Sequence, residues 1–326
     1  MRAVVISRPG DPDVLVVRDV PVPEPGPGAI RVRVRAFGVN RADLLQRRGR
    51  YPAPADAPQD IPGLEFAGEV EALGGGAQPW VAGDRVMGIA GGGTYAEYVV
   101  VPASHAVRVP EALTDAEAGA VPEAFVTAHD ALRRAGLRAG EWLLVHAVGS
   151  GVGVAALQLA KAMGARVIGT SRTPDKLARA KALGLDVPVL TPKEDFVDAT
   201  LEATAGAGAA VALDLVGGAQ FPRTLEALAE RGRLVLVGLT AGAVAETDLG
   251  VILRRRLRIE GTVLRPRSAA EKADAVAGFA ADVLPLLERG AVRPVIHAVL
   301  PFSAVAEAHR IMEANANFGK LVVEVS

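Results

Sequence analysis

The sequence predicts an α/β protein in which a parallel sheet covered by helices interrupts a β-rich region. Three observations lead there. Residues 1 to about 120 read as short strands and turns, and from about 121 apolar runs alternate with alanine-rich helical stretches. A last strand follows after that alternation is complete. With 326 residues, half of them hydrophobic, the chain can fill two modest cores.

In the β-rich part, "AIRVRVRAFGV" alternates Ile30, Val32, Val34 and Ala36 with Arg31, Arg33 and Arg35, the period of a strand with one wet face. Further strands are expected in "FAGEVEAL", "GDRVMGI" and "TYAEYVVVP", separated by glycine- and proline-rich turns. In the α/β part the strand candidates are "EWLLVHA", "ARVIGTS", "AAVALDLV", "GRLVLVGL" and "LRIEGTVL". Helical periodicity lies between several of them, as in Ala155, Leu159, Ala162 and Met163. After 265 one helix is expected in "EKADAVAGFAADVLPLLERG", Ser303 is a candidate cap for another, and "KLVVEV" is a strand that returns to the first domain. The domain boundaries fall at 1–122, 123–262 and 263–326.

Composition excludes several classes. The formal charge of −1 calls for no polyanion partner, and the three arginines of the alternating strand form a solvated face on the pleat. No apolar run approaches a membrane span, and the N-terminus turns polar too soon for a signal peptide, so a cytoplasmic protein is expected. The chain has no cysteine, and its five histidines show no ligand spacing, so no metal site is expected and the histidines read as scattered core or surface residues.

"HAVGSGVGVAALQLAKAMG" places Gly149, Gly151 and Gly153 between an apolar run and an amphipathic stretch. A strand at 142–146, a loop at 147–153 and a helix closed by Gly164 would form a cradle for a pyrophosphate. The next strand ends about twenty residues later, where an NAD site places an acid for the ribose. This chain has Ser171, Arg172 and Lys176 there, which favours NADPH. An arginine about 4 Å from a 2′-phosphate gains about 4 kcal/mol per unit charge at an effective dielectric near 20, before desolvation is subtracted. Thr173, Pro174 and Asp175 also read as a helix cap, which does not compete with the phosphate.

These residues, with "GVNRADLLQRRGRYP", "PGLEFAGEV", "GDRVMGI", "VPEAFVTAHDAL" and "ANFGKLVVEV", resemble the zinc-independent, zeta-crystallin type quinone oxidoreductases of the medium-chain dehydrogenase/reductase superfamily. The likeness runs the length of the chain and is greatest toward the tumour-suppressor-induced subgroup. It implies a Rossmann doubly wound parallel sheet inserted into a GroES-like, partly barrel-shaped catalytic β domain built from both chain ends, with the cofactor in a cleft between them. Where zinc-dependent relatives carry a cysteine and a Gly-His-Glu, this chain reads "NRADL" and "GLEF". The resemblance implies Asn40 and Thr127 at the nicotinamide end, and Ser150, Gly151, Val152 and Gly153 at the pyrophosphate. It implies Ser171, Arg172 and Lys176 at the adenosine phosphate. Val237, Gly238, Leu239, Val263 and Leu264 would form a nicotinamide wall, and Asn317, Phe318, Gly319 and Lys320 would close the cleft; ordinary sheet core is the other reading of the apolar members. Ser150 replaces a common glycine, and Thr191 stands where relatives often carry an aromatic residue against the adenine.

Hydride transfer without a metal needs ring positioning and a donor for the charge that builds on the quinone oxygen. Tyr51 is the first candidate donor and Asn40 the second, with a loop anchor packing on prolines as the other reading of Tyr51. Glu65 reads as structural, and Arg48 and Arg50 as solvated. NADPH:quinone reductase is favoured; an enoyl or alkenal reductase, and a dinucleotide-binding redox sensor or RNA-binding protein with little turnover, remain open. A homodimer is expected through the strand around "RIEGTVL".

Overall fold

The structure, a computed structural model, describes residues 1–191 and 193–325. The chain divides into two compact units, Met1–Val126 with Leu264–Ser326, and Thr127–Val263. The first unit opens with β1 (Arg2–Ile6), β2 (Leu15–Asp19), β3 (Ala29–Val39), β4 (Glu65–Leu73), β5 (Arg85–Ile89), β6 (Tyr98–Pro102) and β7 (Ala106–Arg108). The second carries β8 (Trp142–Val145), β9 (Arg166–Ser171), β10 (Val187–Leu190), β11 (Ala209–Asp214), β12 (Leu228–Leu236) and β13 (Arg258–Gly261). The chain then returns to the first unit for β14 (Ile296–Pro301) and β15 (Lys320–Glu324).

In the first unit β3 pairs antiparallel with β15, β4 and β6, within the order β14-β15-β3-β4-β5-β7. Its alternation places Ile30, Val32, Val34 and Ala36 in the core. On the other face Arg31 pairs with Glu71 at 2.6 Å and Arg35 with Glu69 at 3.1 Å, while Arg33 is exposed. Two register shifts, at Arg31/Val32 and Val34/Ala36, mark bulges that bend the strand. Beyond the bend Phe37 is buried and stacks on Tyr95 at 4.4 Å between centroids. As expected, the last strand comes back to this sheet, bringing Leu321 and Val323 into its core.

All six strands of the second unit run parallel in the order β10-β9-β8-β11-β12-β13, the doubly wound arrangement. Their apolar runs are continuous because helices cover both faces of such a sheet. The neighbours β8 and β11 are not consecutive in the chain, so the strand order reverses between them, and ligands of such folds bind outside the carboxyl ends at that reversal.

Four details differ from the sequence expectation. The strand β10, "VPVL", was not anticipated: it has four residues and contains Pro188, a proline that only an edge position tolerates. The expected strand 142–146 stops at Val145, and the helix Gly151–Ala162 begins inside the expected loop; of its apolar stripe Ala155 and Leu159 are buried, whereas Ala162 and Met163 are exposed. The long helix after 265 is two, Ala269–Asp282 and Leu284–Glu288, because Pro285 cannot continue the hydrogen-bond ladder. Ser303 caps nothing; it sits inside the tight turn Phe302–Ala304, and the helix Val305–Glu313 starts after Ala304.

Candidate active site

In the second unit the end of β8 is anchored by His146, which is fully buried. Its main-chain N–H donates to Leu213 at 3.1 Å, and its ring lies between the hydroxyls of Thr170 at 3.1 Å and Thr224 at 2.9 Å. Burial holds its pKa below the ordinary value, so one ring nitrogen donates and the other accepts. The chain turns through Ala147 in the left-handed region, with φ 52°, and enters the helix at Ser150. The Ser150 hydroxyl oxygen accepts the Gly153 N–H at 3.1 Å, leaving its hydrogen to donate. Gly153 must be glycine, because a Cβ would stand 2.5 Å from the Ala147 carbonyl oxygen. The first-turn amides of Gly151 and Val152 have no helical acceptor by geometry, and the helix dipole makes their position favourable for an anion.

β9 ends at Ser171, whose carbonyl accepts both the N–H and the hydroxyl of Thr191, at 3.1 and 3.3 Å. Arg172 follows, exposed and without a hydrogen bond or ion pair among the described residues. Thr173 occupies the cap position of the helix Pro174–Ala182, with Pro174 in its first turn, but its hydroxyl makes no capping bond. Lys176 is half-buried on that helix.

Of the wall residues in this unit, Val237 and Gly238 donate their amides to the Asp214 carbonyl at 2.8 and 3.2 Å, while Leu239 and Val263 are about half exposed. The Thr127 hydroxyl oxygen and Asp214 Oδ2 are buried without partners among the described residues.

In the first unit Asn40 is drawn into a buried polar cluster. Lys320 Nζ donates to Asn40 Oδ1 at 2.6 Å, to the Val39 carbonyl at 3.2 Å and to Glu65 Oε1. Asn40 Nδ2 donates to the same Glu65 oxygen at 2.8 Å, and the other Glu65 oxygen accepts the Glu123 N–H at 2.9 Å. Gly38 makes room for this carboxylate, since a Cβ there would lie 2.2 Å from it. Glu65 thus ties Asn40, Lys320 and the Glu123 main chain together, and the Lys320 ammonium is already spent on the cluster. Asn317 and Phe318 are buried, and Leu264 is 7% exposed.

Asp43 Oδ2 accepts the Asn40 N–H at 2.7 Å and the Tyr95 hydroxyl at 3.0 Å. Arg47 can only donate, so its contact at 3.2 Å makes His309 Nδ1 an acceptor and places the ring hydrogen on Nε2, which donates to Tyr95 at 3.1 Å. Burial beside Arg47 keeps His309 neutral, with its pKa pulled down to about 3. Burial also pushes Asp43 up to about 6, and its Oδ1 has no partner among the described residues.

Tyr51 is held by Arg265, which donates to its carbonyl at 3.2 Å, to Gly91 at 2.8 Å and to Gln46 at 2.6 Å, and lies 5.1 Å from the ring centroid. The Tyr51 hydroxyl itself makes no hydrogen bond among the described residues. Four residues of this unit were not singled out by the motifs: Asp43, Glu123, Arg265 and Lys272. Lys272 was findable, because it shares a helical stripe with Ala275, Val276 and Phe279, where a charge is out of place. Among the described residues no group of three or more His, Asp or Glu side chains is placed to hold a metal.

Comparison with known proteins agrees with this architecture. Residues 26–111 match the alcohol dehydrogenase GroES-like domain, and residues 151–278 match the family described as zinc-binding dehydrogenase. The chain is 35% identical over 318 residues to a quinone oxidoreductase of Pseudomonas aeruginosa, covering 96% of each. Escherichia coli quinone oxidoreductase complexed with NADPH superposes with a TM-score of 0.89 at 29% identity, over 100% of both chains. CurK enoyl reductase gives 0.88 at 25% identity, over 100% of this chain and 99% of its own. The chain therefore belongs to the quinone oxidoreductases of the medium-chain dehydrogenase/reductase superfamily.

Proposed function

We propose that the chain is an NADPH-dependent reductase that passes a hydride to a quinone without a metal, the first unit serving as catalytic domain and the second as dinucleotide-binding domain. The observation that carries this reading is the second unit's cradle, glycine-lined at Gly153 and followed after β9 by an exposed, unpaired arginine instead of an acid. It is supported by the full-length likeness to quinone oxidoreductases.

Gly151 and Val152 would offer main-chain amides and Ser150 a hydroxyl hydrogen to the pyrophosphate, and Ser171, Arg172 and Lys176 would receive the 2′-phosphate. In the second unit Thr127, with its orphaned hydroxyl oxygen, and Val237, Gly238, Leu239 and Val263 would serve the nicotinamide end; Asn40 and Leu264 are the first unit's candidates for the same role. Asn317 to Lys320 would close the site through their fold, Lys320 acting on Asn40. Bound NADPH supplies the hydride. Tyr51, its ring fixed by Arg265 and its hydroxyl unused, donates to the oxygen on which charge develops. Asn40 is the weaker donor, since one amide hydrogen is committed to Glu65 and the other reaches only the Gly38 carbonyl at 3.4 Å.

Loss of NADPH absorbance with a panel of quinones tests this reading, and a panel of enones run beside it tests the enoyl reductase reading that the CurK likeness favours. Turnover confined to enones would replace quinone as substrate; turnover with neither would remove the enzyme assignment. A homodimer and a cytoplasmic setting, where NADPH is a reductant, complete the proposal.

A further inference from the structure

The cofactor contacts proposed above leave Glu123 of the first unit unused. Glu123 stands on the first turn of the helix Pro122–Ala135, and its N–H is tied to the Glu65 carboxylate that also holds Asn40 and Lys320. Its own carboxyl makes no hydrogen bond or ion pair among the described residues. Tyr51, Arg265 and the buried Lys272 all lie within electrostatic reach of it, as Asp56 does of Lys272, and neither the Tyr51 hydroxyl nor the Lys272 ammonium makes a hydrogen bond or ion pair among the described residues. A carboxyl, a phenol and an ammonium thus gather in the first unit with no hydrogen bond among the described residues, and their polar atoms are not enclosed by the protein, so a ligand can meet all three.

We propose that Glu123 is the proton donor of the reaction, with Tyr51 and Lys272 holding the substrate oxygen that receives the proton. This rests on the quinone reductase reading. The quinone takes a hydride, two electrons with one proton, from the reduced nicotinamide, leaving the oxidised cofactor and a hydroquinone monoanion. The O–H bond of the Glu123 carboxyl then breaks, its proton forms the second hydroquinone O–H bond, and solvent reprotonates the carboxylate.

The environment suits an acid. Burial and the Glu65 carboxylate push Glu123 up to about 8, against the opposing pull of Lys320 and Arg265, with Asp43 adding to the rise. The carboxyl is therefore protonated at neutral pH, and a phenolic oxygen of ordinary pKa near about 10 takes its proton downhill. Tyr51 is pushed above its ordinary value by burial, so it donates a hydrogen bond without losing its proton.

Glu123→Gln keeps the shape and removes the acid. In cofactor-free protein, infrared difference spectra should show a protonated carboxyl titrating near about pH 8 in the wild type and absent from the variant. With NADPH and a quinone, kcat should fall by about 10²–10⁴ with KM for NADPH unchanged, and the alkaline limb of the kcat profile should disappear. A variant with wild-type kcat and pH profile overturns the proposal, as does a wild type lacking the infrared band. Should the variant fail to fold, the wild-type band and alkaline limb decide alone, and absence of either overturns it. Wild-type protein that reduces no quinone sinks the functional reading and this proposal together; an active wild type beside an unimpaired variant sinks only the proposal.

Discussion

In the reading proposed above Arg172 would carry the choice of cofactor, because it is exposed at the end of β9 and has no hydrogen bond or ion pair among the described residues. The phosphate it would contact is remote from the hydride, so the contact is equally strong in ground and transition states. Arg172→Ala should remove about 1.5–3 kcal/mol of charge-assisted bonding, raising KM for NADPH about ten- to a hundredfold with little change in kcat. Steady-state kinetics with NADPH and NADH check this; equal loss with both would assign Arg172 to the fold. Tyr51 is the second informative residue. Tyr51→Phe keeps the ring on Arg265 and deletes only the hydroxyl, so quinone turnover should drop about tenfold or more while NADPH affinity measured by fluorescence titration stays unchanged. Unaltered turnover would return Tyr51 to a loop anchor and move attention to Asn40.

At the scale of elements, the edge strand β13 bears on assembly. It ends the six-stranded sheet with one side unpaired, and Ile259 on it is 36% exposed. The preceding helix, Leu249–Arg255, buries no residue of its own and exposes Leu249 at 71% and Leu253 at 78%. An open strand edge with apolar neighbours is a template for pairing, and a two-fold copy of the same strand satisfies it. Light scattering at micromolar concentration should give a dimer mass, and Ile259→Lys should shift it toward monomer; a wild-type monomer would refute the assembly. The helix Gly151–Ala162 shows a different dependence, since its close approach to β8 rests on one glycine whose Cβ has no room.

For the whole molecule, two outcomes follow from charge and composition. The chain lacks cysteine and, among its described residues, any cluster of metal ligands, so fold and activity should survive exhaustive chelation; zinc bound stoichiometrically and lost together with activity would contradict this. Stability against pH is the second. Glu123 binds its proton more tightly folded than unfolded, so its contribution is full below about 4.5 and is lost as pH rises through about 8. Asp43 acts alike, but its loss is complete soon above about 6. The buried His105, His146 and His309, all held below their ordinary value, act oppositely: their contribution is full above about 6.5 and is lost on acidification. Between about pH 6.5 and 8 Glu123 therefore dominates the carboxyl and histidine contributions, and the wild-type melting temperature should fall across that window while that of Glu123→Gln stays flatter. Parallel curves for the two proteins would show that Glu123 titrates normally.

Local pattern alone determined much of this protein. Period-two alternation marked β3, continuous apolar runs marked the inner strands of the parallel sheet, and the spacing of Gly149, Gly151 and Gly153 marked the turn from β8 into its helix. These features are legible because neighbours along the chain create them: a pleat, a covered strand and a tight turn each constrain residues a few positions apart. Tertiary structure decided the rest. β10 is a strand only because β9 offers it an edge, and Ser150 is a cap because the helix begins three residues earlier than the expected loop 147–153 allows. Glu65, Asn40 and Lys320 meet across 280 positions, and Arg47, His309, Tyr95 and Asp43 form one hydrogen-bonded line from three distant segments. No periodicity encodes such meetings. Buried charges are costly unless paired, and it is the fold that pairs Glu65 with Lys320 and leaves Glu123 and Lys272 without hydrogen bonds among the described residues.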